Sequence, residues 1–177
     1  SRMGGRKVMQ VRVLRRCAVG ESNIDRSIGD LMTESNPTVG LAAHAGQTDV
    51  RITAKADTEA EADALIAPME EDLRKRLGVA IYGLGKETVA EVVGGLLQDR
   101  GLTLGVVDTL TEGQLVREMQ ENGFGDVVVT DVHPTDLKEV LETVGLDMET
   151  DDSQALSKAL AERIAPDGGV GFAMVGP

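Results

Sequence analysis

The first part of the chain changes from a strand-like to a helix-like spacing of apolar positions. Val8, Val11 and Val13 alternate imperfectly with polar neighbours, which predicts a strand over residues 7–19. A helix is predicted over residues 20–34, where Ser22 is a suitable N-cap and the apolar residues recur at helical spacing: Ile24, Ile28, Leu31 and Met32. These two elements begin a small module of mixed α and β structure.

A hairpin and a long helix follow. Residues 36–56 predict two antiparallel strands with a turn near Gly46-Gln47, and apolar residues alternate along both: Val39, Leu41, Val50 and Ile52. Residues 57–78 predict a helix with a capping box from Thr58 to Glu61 and a stop at Gly78. Pro68 interrupts its backbone hydrogen bonding, and its apolar face holds Leu65, Met69 and Leu73. The first module is therefore predicted as β-α-β-β-α.

The second half alternates predicted helices and strands. Helices are predicted over residues 87–101, 112–123, 134–145 and 151–165, and strands over 102–108, 126–131 and 169–177. The first of these helices is expected to turn five apolar residues inward: Val89, Val92, Val93, Leu96 and Leu97. Alternation of this kind is typical of a parallel sheet with helices packed on it. We therefore expect an α/β protein, in which the α+β module precedes a reduced three-layer α/β module with a short, mainly parallel sheet.

The stretch "YGLGKET", residues 82–88, is the predicted junction between the modules. It lacks the spacing of a phosphate-binding loop, because Lys86 follows only a Gly-Leu-Gly. We expect one domain over residues 1–82 and a second over residues 83–177.

Charge is divided unevenly between these two parts. The chain has 177 residues with 18 Lys+Arg and 30 Asp+Glu, of which residues 1–82 hold 12 and 12, so residues 83–177 hold 6 and 18. An acidic field of this size opposes nucleic-acid binding, which depends on neutralising phosphates. A basic cluster near the start is either a polyanion site or the charged face of an exposed strand: Arg2, Arg6, Lys7, Arg12, Arg15 and Arg16.

Other compositional features narrow the class of protein. No apolar run is long enough to cross a bilayer, and no signal-peptide pattern is seen. The one cysteine, Cys17, excludes an internal disulfide and any site with several thiolates. His44 and His133 have no second histidine at metal-ligand spacing, so we expect no metal and no cofactor. A cytoplasmic protein without a membrane partner is expected.

Four stretches of the sequence resemble the CinA family. They are "LRRCAVGESNIDRSIGDLM", "NPTVGLAAHAGQTDVRITAKADTEAEADALI", "RLGVAIYGLGKETVAEVVGGLLQDRGLTL" and "GVGFAMVGP". The resemblance covers residues 11–104 well and weakens after Leu104. It implies that residues 1–82 are the family's KH-like middle domain and that residues 83–177 are a shortened form of its C-terminal domain. No GxxG segment between two helices, of the kind that clamps a nucleic-acid backbone, is found in the first.

The family's C-terminal domain is a nicotinamide mononucleotide amidohydrolase, with the site sequence Ala-Thr-Ala-Glu-Ser-Cys-Thr-Gly-Gly. In this chain the acidic residue is Asp108, the nucleophilic serine is replaced by Thr109, and Thr111 and Gly113 match the threonine and last glycine. The first glycine is Glu112, the family's tyrosine is replaced by Thr130, and no lysine matches, Lys138 being the nearest. The resemblance therefore implies vestigial catalytic positions at Thr109, Thr130 and Lys138, and a ligand-binding turn formed by Asp108, Thr109, Thr111 and Gly113.

Two interpretations of the turn follow from these residues. A hydroxyl needs a base and oxyanion donors to attack a carbonyl, and a β-branched threonine is more restricted than serine. Alternatively, Thr109 to Glu112 form a capping box that starts the next helix. We expect the second, hence a catalytically impaired relative with a binding or assembly role, as a homodimer through an unpaired sheet edge. The alternative is an active amidohydrolase on nicotinamide mononucleotide or a related pyridine nucleotide, and nucleic-acid binding by the first strand is a third hypothesis.

Overall fold

The computed structural model describes residues 7–17, 27–44 and 47–176. The chain folds as two compact units, Ser1–Thr88 and Val89–Pro177. Each unit has its own sheet, so the fold is mixed α/β with one antiparallel and one parallel sheet. No helix in the described ranges is long and apolar enough to cross a membrane.

The first unit is a four-stranded antiparallel sheet covered by one helix. Its strands are β1 (Val8–Arg16), β2 (Thr38–His44), β3 (Gln47–Ala56) and β4 (Ile81–Leu84), in the order β2-β3-β1-β4. The predicted hairpin is confirmed, with Val39 paired to Ile52 and Leu41 to Val50. Its turn near Gly46 lies outside the described residues.

Helix α1 (Glu59–Leu77) packs on one face of this sheet. The predicted capping box is confirmed: the Thr58 hydroxyl accepts from the Glu61 N–H at 3.2 Å, and the Glu61 carboxylate accepts from the Thr58 N–H at 3.2 Å. Gly78 ends the helix, as predicted. The core beneath it joins residues from the strands and the helix: Leu14, Ile28, Val50, Ile52, Ala54, Ala62, Ile66 and Leu73.

In the first unit, strand β4 was not predicted, and the helix predicted over residues 20–34 is described only in part. The stretch predicted as a junction begins within strand β4, whose Leu84 pairs with Leu14 of β1. A four-residue strand is too short for its alternation to be recognised in sequence. In the predicted helix over residues 20–34, the structure describes a helical Ser27-Ile28 and a 3₁₀ helix at Leu31–Thr33, whereas Ser22 and Ile24 lie outside the described residues.

The second unit is a three-stranded parallel sheet with helices on both faces. Its strands are β5 (Leu104–Asp108), β6 (Val128–Val132) and β7 (Val170–Met174), in the order β6-β5-β7. Its helices are α2 (Val89–Asp99), α3 (Gln114–Glu121), α4 (Leu137–Val144) and α5 (Ser153–Ile164). The predicted alternation of strands and helices is confirmed, and all five residues of β5 are buried because helices cover both faces.

Helix α5 approaches β5 and β7 very closely. A Cβ added at Gly105 would collide with the backbone carbonyl of Ile164, and one added at Gly171 with that of Ala161. Glycine is therefore needed at both strand positions to admit the helix backbone. Helix α5 therefore packs directly against the face of these two strands.

Helix α2 turns inward a face that matches the prediction only in part: Leu97 is buried as predicted, whereas Val93 and Leu96 are not. Its buried residues are Ala90, Gly94 and Leu97, while Val93 is 36% and Leu96 46% exposed. A Cβ at Gly94 would meet the ring of Phe124, so the small residues mark the packed side. The prediction for Val93 and Leu96 was wrong because it followed residue hydrophobicity rather than close packing.

Candidate functional site

The buried carboxylate of Asp108 organises the turn after β5. It accepts hydrogen bonds from the backbone N–H groups of Leu110 at 3.0 Å, Thr111 at 2.8 Å and Gly113 at 3.0 Å, and from the Thr111 hydroxyl. Burial raises the pKa of Asp108, but the hydrogen bonds from Thr111, Leu110 and Gly113 outweigh it and hold the pKa below its ordinary value. The turn is thus closed around an internal anion.

Helix α3 begins one residue beyond this turn, without a capping box. Its N-cap is Gly113, with φ of 78° and no side-chain cap, and Glu112 has φ of 55°. The predicted capping box from Thr109 to Glu112 was therefore wrong. The backbone N–H groups of the turn donate to the Asp108 carboxylate instead of to Thr109. Glu112 has a left-handed backbone, which is not the helical conformation that the third residue of a capping box needs.

Thr109 joins the end of β5 to the segment after β7. Its N–H donates to the Met174 carbonyl at 3.0 Å, and its hydroxyl accepts from the Gly176 N–H at 3.0 Å. The hydroxyl also lies 3.5 Å from the Met174 carbonyl oxygen, so its own proton points toward backbone. Every hydrogen bond that the structure gives this side chain is to backbone.

The other two positions that the resemblance implied as catalytic, Thr130 and Lys138, lie away from Thr109. Thr130 is exposed on β6, where it pairs with Gly105, and roughly 13 Å of strand separates Gly105 from Thr109. Lys138 lies in the first turn of α4 with 82% of its side chain exposed, and its ammonium group is 3.8 Å from Glu142. The structure therefore brings together Asp108, Thr109, Thr111 and Gly113, but not Thr130 or Lys138.

An open cleft of about 660 Å³ lies beside the turn, at the carboxyl end of β6. Its polar lining is mainly acidic, with Glu112, Asp131 and Glu139 around one imidazole, that of His133. The His133 Nδ1 is 3.2 Å from an Asp131 oxygen. His133 was considered in the sequence only as a metal ligand, and that role was not expected. The end of strand β6 at Val132 was the signal that would have placed His133 beside this cleft.

No group of three His, Cys, Asp or Glu residues arranged to hold a metal ion is found within the described residues. The side chain of His44 lies outside them. The basic cluster predicted near the start is not one surface. Arg12 pairs with Glu70 at 2.9 Å on the helix-covered side, and Arg15 pairs with Asp49 at 2.9 Å, whereas Arg2 and Arg6 lie outside the described residues.

Comparison with known proteins gives the family of the chain. Residues 11–83 match the family described as "Damage-inducible protein CinA KH domain". A "Putative competence-damage inducible protein" of Clostridium perfringens is 37% identical over 160 residues, covering 89% of this chain and 39% of that protein. A match of that length extends into the second unit.

Two further relatives, both named "CinA-like protein", match shorter stretches. That of Dictyoglomus thermophilum is 41% identical over 107 residues, 60% of this chain and 26% of its own. That of Synechococcus elongatus is 42% identical over 110 residues, 62% of this chain and 26% of its own. Among solved structures, formyltetrahydrofolate deformylase from Burkholderia mallei gives a TM-score of 0.24 at 15% identity, over 85% of this chain and 53% of that one, too low to indicate a shared fold.

The chain thus spans about two-fifths or less of the length of these curated relatives. Its antiparallel unit coincides with the matched family domain, since β1 to β4 cover nearly the same residues. The first unit is a CinA KH domain, and the chain belongs to the CinA family.

Proposed function

We propose that this chain is a catalytically impaired relative of nicotinamide mononucleotide deamidase, with a binding or assembly role in place of hydrolysis. The observation that carries the proposal is the state of the turn after β5. The N–H groups of Leu110, Thr111 and Gly113 all donate to the carboxylate of Asp108. An oxyanion or a phosphate would need such donors, and here a buried carboxylate already uses them.

The surroundings of Thr109 support the same proposal. A hydroxyl becomes a nucleophile when a neighbouring base accepts its proton. The Thr109 hydroxyl contacts the Gly176 N–H and the Met174 carbonyl, neither of which is a base. Thr130 and Lys138, which stand nearest to the family's tyrosine and lysine, are on other parts of the surface.

Charge beside the turn also opposes a nucleotide. The cleft presents Glu112, Asp131 and Glu139, which repel a phosphate. Arg117 is the nearest cation to Gly113, and its guanidinium donates to the Glu112 carbonyl at 2.6 Å. A pyridine mononucleotide would therefore bind weakly.

The test is ammonia release from nicotinamide mononucleotide by the purified protein, with Thr109→Ser and Thr109→Val beside it. We expect no release above background from any of the three, because the serine variant restores the nucleophile without a base. Release by the wild type that Thr109→Val abolishes would overturn the proposal and favour the active amidohydrolase.

Binding is tested separately from turnover. In a calorimetric titration, nicotinamide mononucleotide at about 1 mM is not expected to saturate the protein. The dissociation constant is therefore expected to exceed about 1 mM, a free energy of binding weaker than about 4 kcal/mol. Asp108→Ala, which frees the N–H groups of the turn, serves as the matched variant and is expected to bind more tightly; its far-UV circular dichroism is compared with that of the wild type. Tight binding by the wild type would contradict the account of a turn filled by its own carboxylate.

A further inference from the structure

A cavity of about 420 Å³ lies on the face of the antiparallel sheet opposite α1. Its floor is formed by Val11 and Val13, whose side chains alternate along β1 with that of the buried Leu14. The space is open because two flanking positions carry almost no side chain: Ala42 of β2 and Gly85, whose N–H donates to the Val13 carbonyl at 2.9 Å. A cavity of this volume is within the range of small-molecule sites.

One wall of the cavity is a fixed polar network around Asp49. The Arg15 guanidinium donates to the Asp49 carboxylate at 2.9 Å, to the Gln47 side-chain oxygen at 3.0 Å and to the Tyr82 hydroxyl at 3.2 Å. Only 6% of the Asp49 side chain is exposed. Because Arg15 pairs with this carboxylate, the wall is held in place and carries no net charge.

The two other charged residues of the cavity are cations. Arg51 and Lys86 border it and make no ion pair with any residue that the structure describes. Arg51 lies opposite Val13 on β3, and Lys86 follows Gly85 on the other side of β1. Neighbouring strands are about 4.8 Å apart, so both long side chains can reach one anionic group above Val13.

The floor between these cations is apolar and accessible. Val11 is 45% exposed, and Val13 is half-buried beside it. A hydrocarbon chain lying on both valines would remove their side chains from water, which favours binding. Inorganic phosphate would meet the two cations but would leave the valines exposed.

We propose that this cavity binds a small organic acid with an apolar body. Its carboxylate is held between Arg51 and Lys86, and its hydrocarbon chain lies on Val11 and Val13. The inference goes beyond the function proposed above, because the cavity belongs to the KH domain and does not depend on the turn after β5.

The first experiment is an NMR titration of ¹⁵N-labelled protein with sodium hexanoate. We expect saturable shifts at the backbone amides of Val13, Arg51 and Gly85, with a dissociation constant in the low millimolar range or below. Acetate has the same carboxylate without the hydrocarbon chain and should bind at least about tenfold more weakly. Hexylamine, which has the chain with the opposite charge, should cause no saturable shift.

Variants separate the two parts of the cavity. Arg51→Gln and Lys86→Gln should each weaken hexanoate binding at least about fivefold, because each removes one of the two cations that face the carboxylate. Val11→Ser should weaken the binding of hexanoate without changing that of acetate. The matched control is Lys75→Gln, which removes a positive charge from α1 on the other side of the sheet and should leave binding unchanged.

Several results would overturn the proposal. They are the absence of a saturable shift with hexanoate, equal affinity for hexanoate and acetate or for hexanoate and hexylamine, and binding that neither Arg51→Gln nor Lys86→Gln weakens. Saturation by inorganic phosphate at the same concentration as hexanoate would show an ion site only. The far-UV circular dichroism of each variant is compared with that of the wild type.

Ammonia release is measured on the same samples, so the two proposals fail separately. A protein that binds hexanoate and releases ammonia would overturn the catalytic impairment and leave the organic-acid site standing. A protein that does neither would overturn the organic-acid site and leave the impairment standing.

Discussion

The two units differ in where a sheet can meet a ligand. In the KH domain, a helix covers one face of the sheet within the described residues, and several residues on the other face are exposed: Met9, Val11, Arg51 and Lys55. In the second unit, β5 is buried along its whole length, and only the turn beyond Asp108 reaches the surface. The first arrangement leaves alternate residues of a broad sheet exposed, whereas the second exposes one strand end, where the carboxylate of Asp108 accepts the hydrogen bonds of the turn.

The largest expected effect tests the tight packing of the second unit. Gly171→Ala places a Cβ against the Ala161 carbonyl and should lower the free energy of unfolding by about 3 kcal/mol. Gly40→Ala is the matched control, because an added Cβ there meets nothing within 4 Å. Urea unfolding followed by far-UV circular dichroism gives both values.

The same variant tests the independence of the units. The single tyrosine, Tyr82, lies in β4, so its fluorescence follows the KH domain. We expect Gly171→Ala to shift the dichroism transition and leave the tyrosine transition in place. Equal shifts of both would show that the units unfold together and would contradict the comparison.

The next largest effect concerns the anion that fills the turn. Asp108→Asn should cost about 2 kcal/mol at pH 7, because an amide presents N–H groups where two donors now point at a carboxylate oxygen. The exposed Asp167→Asn serves as control. If Asp108→Asn had the same urea midpoint as the wild type, the Asp108 carboxylate would not be what holds the turn together.

The pH dependence of that variant follows from linkage. The folded-state pKa of Asp108 is lowered from its ordinary value of 3.8, so its contribution is complete above that pH and is lost as pH falls through the folded-state pKa. Wild-type stability should therefore fall more steeply than that of Asp108→Asn below about pH 4. Parallel curves in acid unfolding would contradict this assignment.

A smaller effect is expected from the cap of α1. Thr58→Ala removes the acceptor for the Glu61 N–H and should lower the stability of the KH domain by about 1 kcal/mol, while Thr58→Ser should retain it. Tyr82 fluorescence during urea unfolding is the measurement. The prediction would be contradicted if Thr58→Ala shifted the dichroism transition but left the Tyr82 fluorescence transition of the KH domain unchanged.

The smallest effect has the opposite sign. Glu112 has a left-handed backbone with φ of 55°, which glycine adopts without strain. Glu112→Gly should therefore raise the free energy of unfolding by about 0.5 kcal/mol. Glu118→Gly within α3, which should lower it by about 1 kcal/mol, is the control for glycine in general. A loss of stability in Glu112→Gly would show that its side chain holds the turn.

The predictability of the fold varied with the kind of signal in the sequence. The Thr58 capping box and the alternation of Val50 and Ile52 are local patterns, and both predicted structure correctly. The inward face of α2 depended on Phe124 packing against Gly94, a contact between distant residues that no local pattern contains. Strand β4 is formed by its pairing with β1 and has little local signal of its own.

The candidate site was predictable in position but not in bonding. The strand-turn-helix pattern and the resemblance both predicted a site at residues 108–113, and the structure brings these residues together in one turn. The side chain that accepts hydrogen bonds from the N–H groups of the turn could not be predicted. Asp108 and Thr109 are neighbours in sequence, and both can accept such bonds at nearly the same spacing. Gly176 contacts Thr109 only through the pairing of β7 with β5, which is a tertiary contact.

The strand order of the second unit also has a consequence for synthesis on the ribosome. All strands of the KH domain are complete once Leu84 has been made, so this domain can fold while the rest of the chain is still emerging. In the second unit, β5 lies at the centre and pairs Leu104 with Val170 of the last strand. Its buried valines can therefore complete their strand pairing only after nearly the whole unit has been translated, so the second unit folds later than the KH domain.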